Sequence, residues 1–158
     1  MRIGVIADTH GCADAPLLAA LRGCDCIVHA GDVGAGVLER LREVAPVVAV
    51  RGNTDRRGDP AGLPAVAWLE AEGFRIAVTH REEDAPRGGW DILVVGHTHR
   101  ATTETREGRL VVNPGAAGRR GFHAERTAAV LHLVRGMPPR VEFRTLGPRA
   151  GARAEVRR

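Results

Sequence analysis

Five apolar, β-branched runs in this chain each end on acids, histidines or an asparagine. Ile3 to Ala7 runs into Asp8-Thr9-His10-Gly11, Ile27 to Ala30 into Gly31-Asp32, and Val47 to Val50 into Arg51-Gly52-Asn53-Thr54-Asp55. Arg75 to Thr79 runs into His80, and Ile92 to Val95 into Gly96-His97-Thr98-His99. Runs of this length and composition predict strands. Ala15 to Leu21 and Val37 to Val44 carry helical periodicity between the first three, so strand-helix-strand units with parallel pairing and right-handed crossovers are expected. Open α/β sheets place ligands beyond the carboxyl ends of their strands, so the five ends should converge on one crevice.

Ala65 to Ala71 and Phe74 to Thr79 flank Glu72-Gly73, and Thr102 to Thr105 with Leu110 to Val112 flank Glu107-Gly108. Both read as hairpins. Thr127 to Val134 and Arg140 to Leu146 alternate as strands of a second sheet, joined through Gly136 and Pro138-Pro139. The expected architecture is α/β with two sheets in one domain, residues 1–146. A chain of 158 residues with 44% apolar content supports one such core, burying roughly two-thirds of its unfolded surface. Residues 147–158 carry four Arg and one Glu among Gly and Ala, and read as a basic, disordered tail.

That tail supplies +3 of the net +4, so the body is nearly neutral. With no Tyr, three Phe and two Trp, the chain lacks a stacking platform for single strands, and sequence-specific nucleic-acid binding is not expected. No apolar run approaches the ~20 residues of a membrane span and no signal peptide is evident. Cys12, Cys24 and Cys26 lack the spacing of a disulfide or zinc framework, and a reducing cytoplasm is the expected compartment.

In an extended chain residues two apart point the same way, so Asp8 and His10 can grip one ion. Two divalent ions about 3.5–4 Å apart need a bridging carboxylate and a water that they jointly acidify into a nucleophile. Asp32, alone in its turn, is the natural bridge. Imidazole mixed with oxygen suits Mn, Fe, Zn, Co or Ni better than Mg or Ca, with Mn the first choice.

These segments, with Asn113-Pro114-Gly115, resemble the motif series of the YfcE-like phosphodiesterases within the calcineurin-like metallophosphoesterases, in order from Arg2 to about Val134. The resemblance implies a four-layer α/β/β/α sandwich of two mixed sheets. It implies that Asp8, His10 and His99 hold one metal ion, that Asn53, His80 and His97 hold the other, and that Asp32 bridges them. His10, Asp32 and Asn53 are then the candidate catalytic residues. The expected activity is hydrolysis of a small phosphodiester or nucleotide-like substrate by a metal-activated hydroxide. The rival is a non-catalytic scaffold on the same fold, as in the metallophosphoesterase-like subunit of the retromer coat. Self-association is left open.

Three departures from the resemblance stand out. Thr54 occupies the position of a His general acid, or of the Cys common in YfcE-like chains. His80-Arg81-Glu82 replaces a His-Gly-His. Pro86, Gly88 and Gly89 break the segment between His80 and Asp91 where relatives carry a helix, so a sheet face should be open. Arg51, Arg56, Arg57, Arg119 and Arg120 adjoin the motifs, and Arg56 and Arg120 are the candidates for contact with a phosphoryl group. Asp55 is a candidate support for Asn53 or a ligand. His29, His123 and His132 read as structural.

Overall fold

The computed structural model describes residues 1–149. β1 (Arg2–Ile6), β2 (Cys26–His29) and β3 (Val47–Ala49) pair in parallel, connected by helices α1 (Ala15–Ala20) and α2 (Val37–Arg42). Ile3 and Val5 of β1 face one way and Ile6 the other, and both faces are buried. Helices of six residues do not persist alone. Leu17 of α1, with Leu21 just beyond it, and Val37, Leu38 and Leu41 of α2 hold them against Ile6, Ile27 and Ala128 of the sheet.

Asp14 caps α1, accepting from Leu17 N at 3.5 Å, and meets the guanidinium of Arg126 in two 2.8 Å hydrogen bonds. The Arg126 pairing holds its carboxyl down at about 2, against 3.8 unfolded. A depressed carboxyl pKa contributes stability above pH 3.8 that is lost as pH falls through about 2. Asp14→Asn is therefore expected to cost about 2 kcal/mol at pH 7, a gap that closes near pH 2. Urea unfolding of both proteins across that range checks it; equal stability at pH 7 would remove the pair from the account.

A second sheet has the order β4 (Val66–Ala71), β5 (Phe74–Thr79), β6 (Ile92–Val94), β8 (Arg109–Pro114), β7 (Ala101–Arg106). Its three central strands are parallel and its edges antiparallel. Both hairpins turn on two residues with positive φ, Glu72-Gly73 at 52° and 87° and Glu107-Gly108 at 51° and 76°, the twist that suits a two-residue hairpin.

The last two strands are not in this sheet, contrary to the expectation from their alternation. β9 (Glu125–His132) pairs antiparallel with β1, and β10 (Arg140–Pro148) pairs with β9, giving the first sheet the order β10-β9-β1-β2-β3. The helical crossovers fill only one side of β1, whose other row of backbone groups needs a partner. β10 also runs two residues beyond the expected domain end at 146, across a bulge between Thr145 and Gly147. Arg149 after it is buried, so the boundary moves to at least 149. Residues 150–158 of the expected tail lie outside the described residues.

Between the sheets lie Ile3, Val5, Val28, Ile76, Val78, Val94, Val112 and Leu131. On the outer face of the second sheet, Ala77, Leu93, Val95 and Val111 are covered by Ala85 and Trp90. That fourth layer is thin: the connection from β5 to β6 contains a 3₁₀ turn at Glu82–Asp84 where a helix would stand. No helix among the described residues is long and apolar enough to cross a membrane.

Candidate metal centre

The carboxyl ends of β1, β2, β3, β5 and β6 open on the same edge of the sandwich, drawn from both sheets. Asp8 and His10 do not sit in extended chain, as the two-residue spacing suggested. Their φ values are 54° and 47°, and the backbone of the turn bonds to the next one through Asp8 N to Gly31 O, His10 N to Asp32 O and Gly11 N to Val33 O. Asp32, His97 and His99 are also left-handed, at 54°, 67° and 60°. Of the seven non-glycine residues with positive φ among those described, five are candidate ligands and two belong to the hairpin turns. Backbone of this kind persists where the surroundings over-determine it, which is typical of functional sites.

All seven candidate ligands come together. His99 Nε2 lies 3.3 Å from Asp8 Oδ1. Asp32 Oδ2 lies 3.8 Å from His10 Nε2 and 3.5 Å from His80 Nε2, so its carboxylate stands between the two expected groups. Asn53 Oδ1 lies 2.9 Å from His80 Nε2 and 3.2 Å from His97 Nδ1. Asp8, His10 and His99 offer ligand atoms within 4.8 Å of one another, and so do Asp8, Asp32 and His80.

The lone pairs show that these residues fit a cation. His80 Nδ1 faces the Ala30 carbonyl at 2.7 Å and must donate to it, so a neutral ring turns the bare Nε2 on the oxygens of Asn53 and Asp32. Acceptors aimed at one another need a positive centre between them, either a proton or a metal ion. An imidazole fixed by a backbone carbonyl through its far nitrogen is the usual posture of a metal-binding histidine. Asp8 Oδ1 is buried without a hydrogen-bond partner among the described residues. Without an ion, burial disfavours the His80 cation, but Asp32 and the Ala30 carbonyl outweigh it and raise the His80 pKa. Burial likewise pushes Asp32 up, but His80 and the Thr54 amide hold it well below the usual carboxylate range.

The support beneath the ligands is specific. Asp55 accepts from Val33 N, Gly34 N and Gly52 N at 3.0, 3.0 and 2.8 Å, tying the Asp32 turn to the Asn53 turn rather than holding the Asn53 side chain. A Cβ on Gly52 would overlap the Asp32 carboxylate, and one on Gly31 would lie 2.7 Å from His80 Nδ1. Asn113 donates to Gly96 O and Thr98 Oγ1 at 2.8 and 3.0 Å, fixing the turn that carries His97 and His99. Thr9 donates to Val33 O and therefore accepts from His29, which is wholly buried and kept neutral, its pKa pushed down to about 4 by that burial.

Arg56 is exposed and donates to the Asn53 carbonyl at 3.2 Å, while Arg120 is exposed on the loop between β8 and β9. Arg119 reaches Asp14 at 3.5 Å. Cys12 accepts from Arg126 at 3.7 Å, and Cys24 and Cys26 are buried. Three features escaped the sequence reading: the Asp14–Arg126 pair, the buried Arg149, and Phe122 against the His99 ring. Only the alternation of Arg126 with apolar neighbours in β9 could have signalled the first.

Residues 1–136 match the calcineurin-like phosphoesterase superfamily domain. A probable metallophosphoesterase of Methanothermobacter thermautotrophicus is 35% identical over 134 residues, covering 73% of this chain and 77% of that protein. The phosphodiesterase YfcE of Escherichia coli is 34% identical over 145 residues, covering 73% and 79%. The YfcE structure superposes with a TM-score of 0.65 at 29% identity over 84% of this chain and 88% of that one. Vps29 from Entamoeba histolytica shares the fold, with a TM-score of 0.74 at 21% identity over 92% and 99%. With the family model covering the strand ends, the turns and all seven converging side chains, the chain belongs to the calcineurin-like phosphoesterase superfamily.

Proposed function

We propose that the protein is a metal-dependent phosphodiesterase with two divalent ions, Mn foremost, acting on a small or nucleotide-like phosphodiester in the cytoplasm. The observation that carries this reading is the opposed acceptors around His80 Nε2. Asp8, His10 and His99 would hold one ion and Asn53, His80 and His97 the other, with Asp32 as the carboxylate shared between the two groups. Bound there, the ions supply charge neutralisation on the phosphoryl oxygens and an acidified water. The residues fix the geometry: Asp32 is held by the Thr54 amide at 2.9 Å, and His80 by Ala30. Arg56, three residues past Asn53, and Arg120, on the loop between β8 and β9, are exposed guanidinium groups that would steer and orient the anionic substrate.

The test is metal analysis of the purified protein with hydrolysis of aryl diesters and monoesters after reconstitution with Mn, Ni, Zn or Mg. Two ions per chain with diester turnover supports the reading. Metal bound without turnover on any ester would favour the non-catalytic scaffold.

Thr54 offers only a hydroxyl where a general acid would stand, and its amide is already used on Asp32. Positioned general acids contribute about 10²–10⁴-fold, most for poor leaving groups. Turnover is thus expected to fall steeply as leaving-group pKa rises, and Thr54→His to help alkyl leaving groups most. A leaving-group series on both proteins at equal metal content checks this. Equal shallow slopes would show that the proton already comes from elsewhere.

A further inference from the structure

Phe122 stands in the loop between β8 and β9 with 87% of its surface exposed. One side of its ring lies against His99, centroids 5.2 Å apart and planes tilted by 33°. A phenylalanine left this open forgoes roughly the 1.5–3 kcal/mol that burial of such a side chain contributes. The loop that presents it is nevertheless tightly held. At its base, Ala117 N and Gly118 N donate to Ala7 O and Asp8 O, each at 3.0 Å, so it is bonded to the turn that carries Asp8. At its tip, the buried Arg149 guanidinium donates to the carbonyls of Ala116, Gly118, Arg120, His123 and Glu125, on both sides of the phenylalanine. Gly121 completes the fit: a Cβ there would lie 2.7 Å from the Arg149 guanidinium and 2.8 Å from His99 Nδ1. A buried cation spent on five backbone carbonyls fixes the place of one exposed aromatic ring beside a candidate metal ligand.

We propose that Phe122 is the stacking surface of a substrate subsite, with Arg149 as its positioning residue, that takes an aromatic ring esterified to the phosphoryl group. The subsite rests on the phosphodiesterase reading and narrows it to diesters that carry an aryl ester group. Two observations favour that occupant. The ring adjoins His99, so a group stacked on it lies beside a candidate metal ligand. Thr54 provides no strong acid, which favours departing groups that need little protonation, as aryl oxygens do. Aromatic stacking is indifferent to the ring's substituents, so the subsite selects a class of compound rather than one molecule.

The test uses the metal-loaded full chain and two non-hydrolysable probes, phenylphosphonate and methylphosphonate, with binding followed by calorimetry. Wild-type protein should bind the phenyl compound at least about tenfold more tightly, in line with stacking on a single aromatic side chain. Phe122→Ala should abolish that preference, with methylphosphonate binding and metal content unchanged, and Phe122→Trp should restore it. Arg149→Lys should reduce the preference while leaving methylphosphonate binding in place. A phenyl preference of equal size in wild type and Phe122→Ala, or none in wild type, overturns the subsite while methylphosphonate binding leaves the phosphodiesterase reading standing. Failure of both probes to bind protein of full metal content would instead sink that reading, and the subsite with it. If Phe122→Ala turned a dimer into a monomer in sedimentation and left the phenyl preference intact, the ring would be a contact for a second copy, and the subsite would be rejected.

Discussion

Asp32→Ala is expected to lower metal-dependent hydrolysis by about 10²–10³-fold or more, the scale seen when one group stabilising a transition-state charge is removed. Its carboxylate is the one placed between His10 at 3.8 Å and His80 at 3.5 Å, and no neighbouring side chain in its turn can replace it. On the proposed two-ion reading, metal content should fall from two ions per chain to one or none, because each ion would lose an anionic ligand. Asn53→Ala should act in the same direction through His80 and His97, which its Oδ1 serves together. Elemental analysis alongside turnover is the check. Two retained ions with wild-type turnover in Asp32→Ala would end the dinuclear assignment.

Asp55→Ala is expected to be the most destabilising single change at the centre, at about 3–5 kcal/mol. The carboxylate is buried and is the sole acceptor among the described residues for Val33 N, Gly34 N and Gly52 N, and each backbone donor left unpaired in such a place costs about 1–3 kcal/mol. The effect should reach the chemistry as well, because the three amides belong to the turns that carry Asp32 and Asn53. Urea unfolding of the metal-free protein isolates the stability term, and Asp55→Asn should recover part of it by keeping one acceptor oxygen. A loss below about 1 kcal/mol would mean that water or a shifted loop satisfies those amides.

The candidate ligands were legible because the chemistry needs particular atoms and the fold needs strand ends, and both marks coincide in short stretches such as Gly96-His97-Thr98-His99. The hairpins were legible for a similar reason, since Glu-Gly pairs interrupt two alternating runs. The missing helix after His80 could be anticipated from Pro86, Gly88 and Gly89. The rest depended on distant parts of the chain. Alternation in Thr127 to Val134 marks a strand but not its neighbour, and the open edge of β1 decided that. The left-handed backbone of Asp8 and His10 leaves no trace in composition, because neither is the glycine that usually signals it. Arg149 looked like part of a solvated basic tail, and its burial follows from five carbonyls contributed by residues 116–125.

The pairing of β9 with β1 also sets an order of events as the chain folds. Arg2 lies opposite His132 and Val5 opposite Ala129, so the strand bearing Asp8 at its end stays half-unpaired until nearly the whole polypeptide is available. Contacts this far apart in sequence demand a large loop closure before any stabilisation is gained, which places such topologies among the slower folders, in milliseconds to seconds. During synthesis at ~5–20 residues per second, the β1–β2–β3 sheet would wait several seconds with an apolar open edge, a period in which association with other nascent chains competes with completion of the sheet.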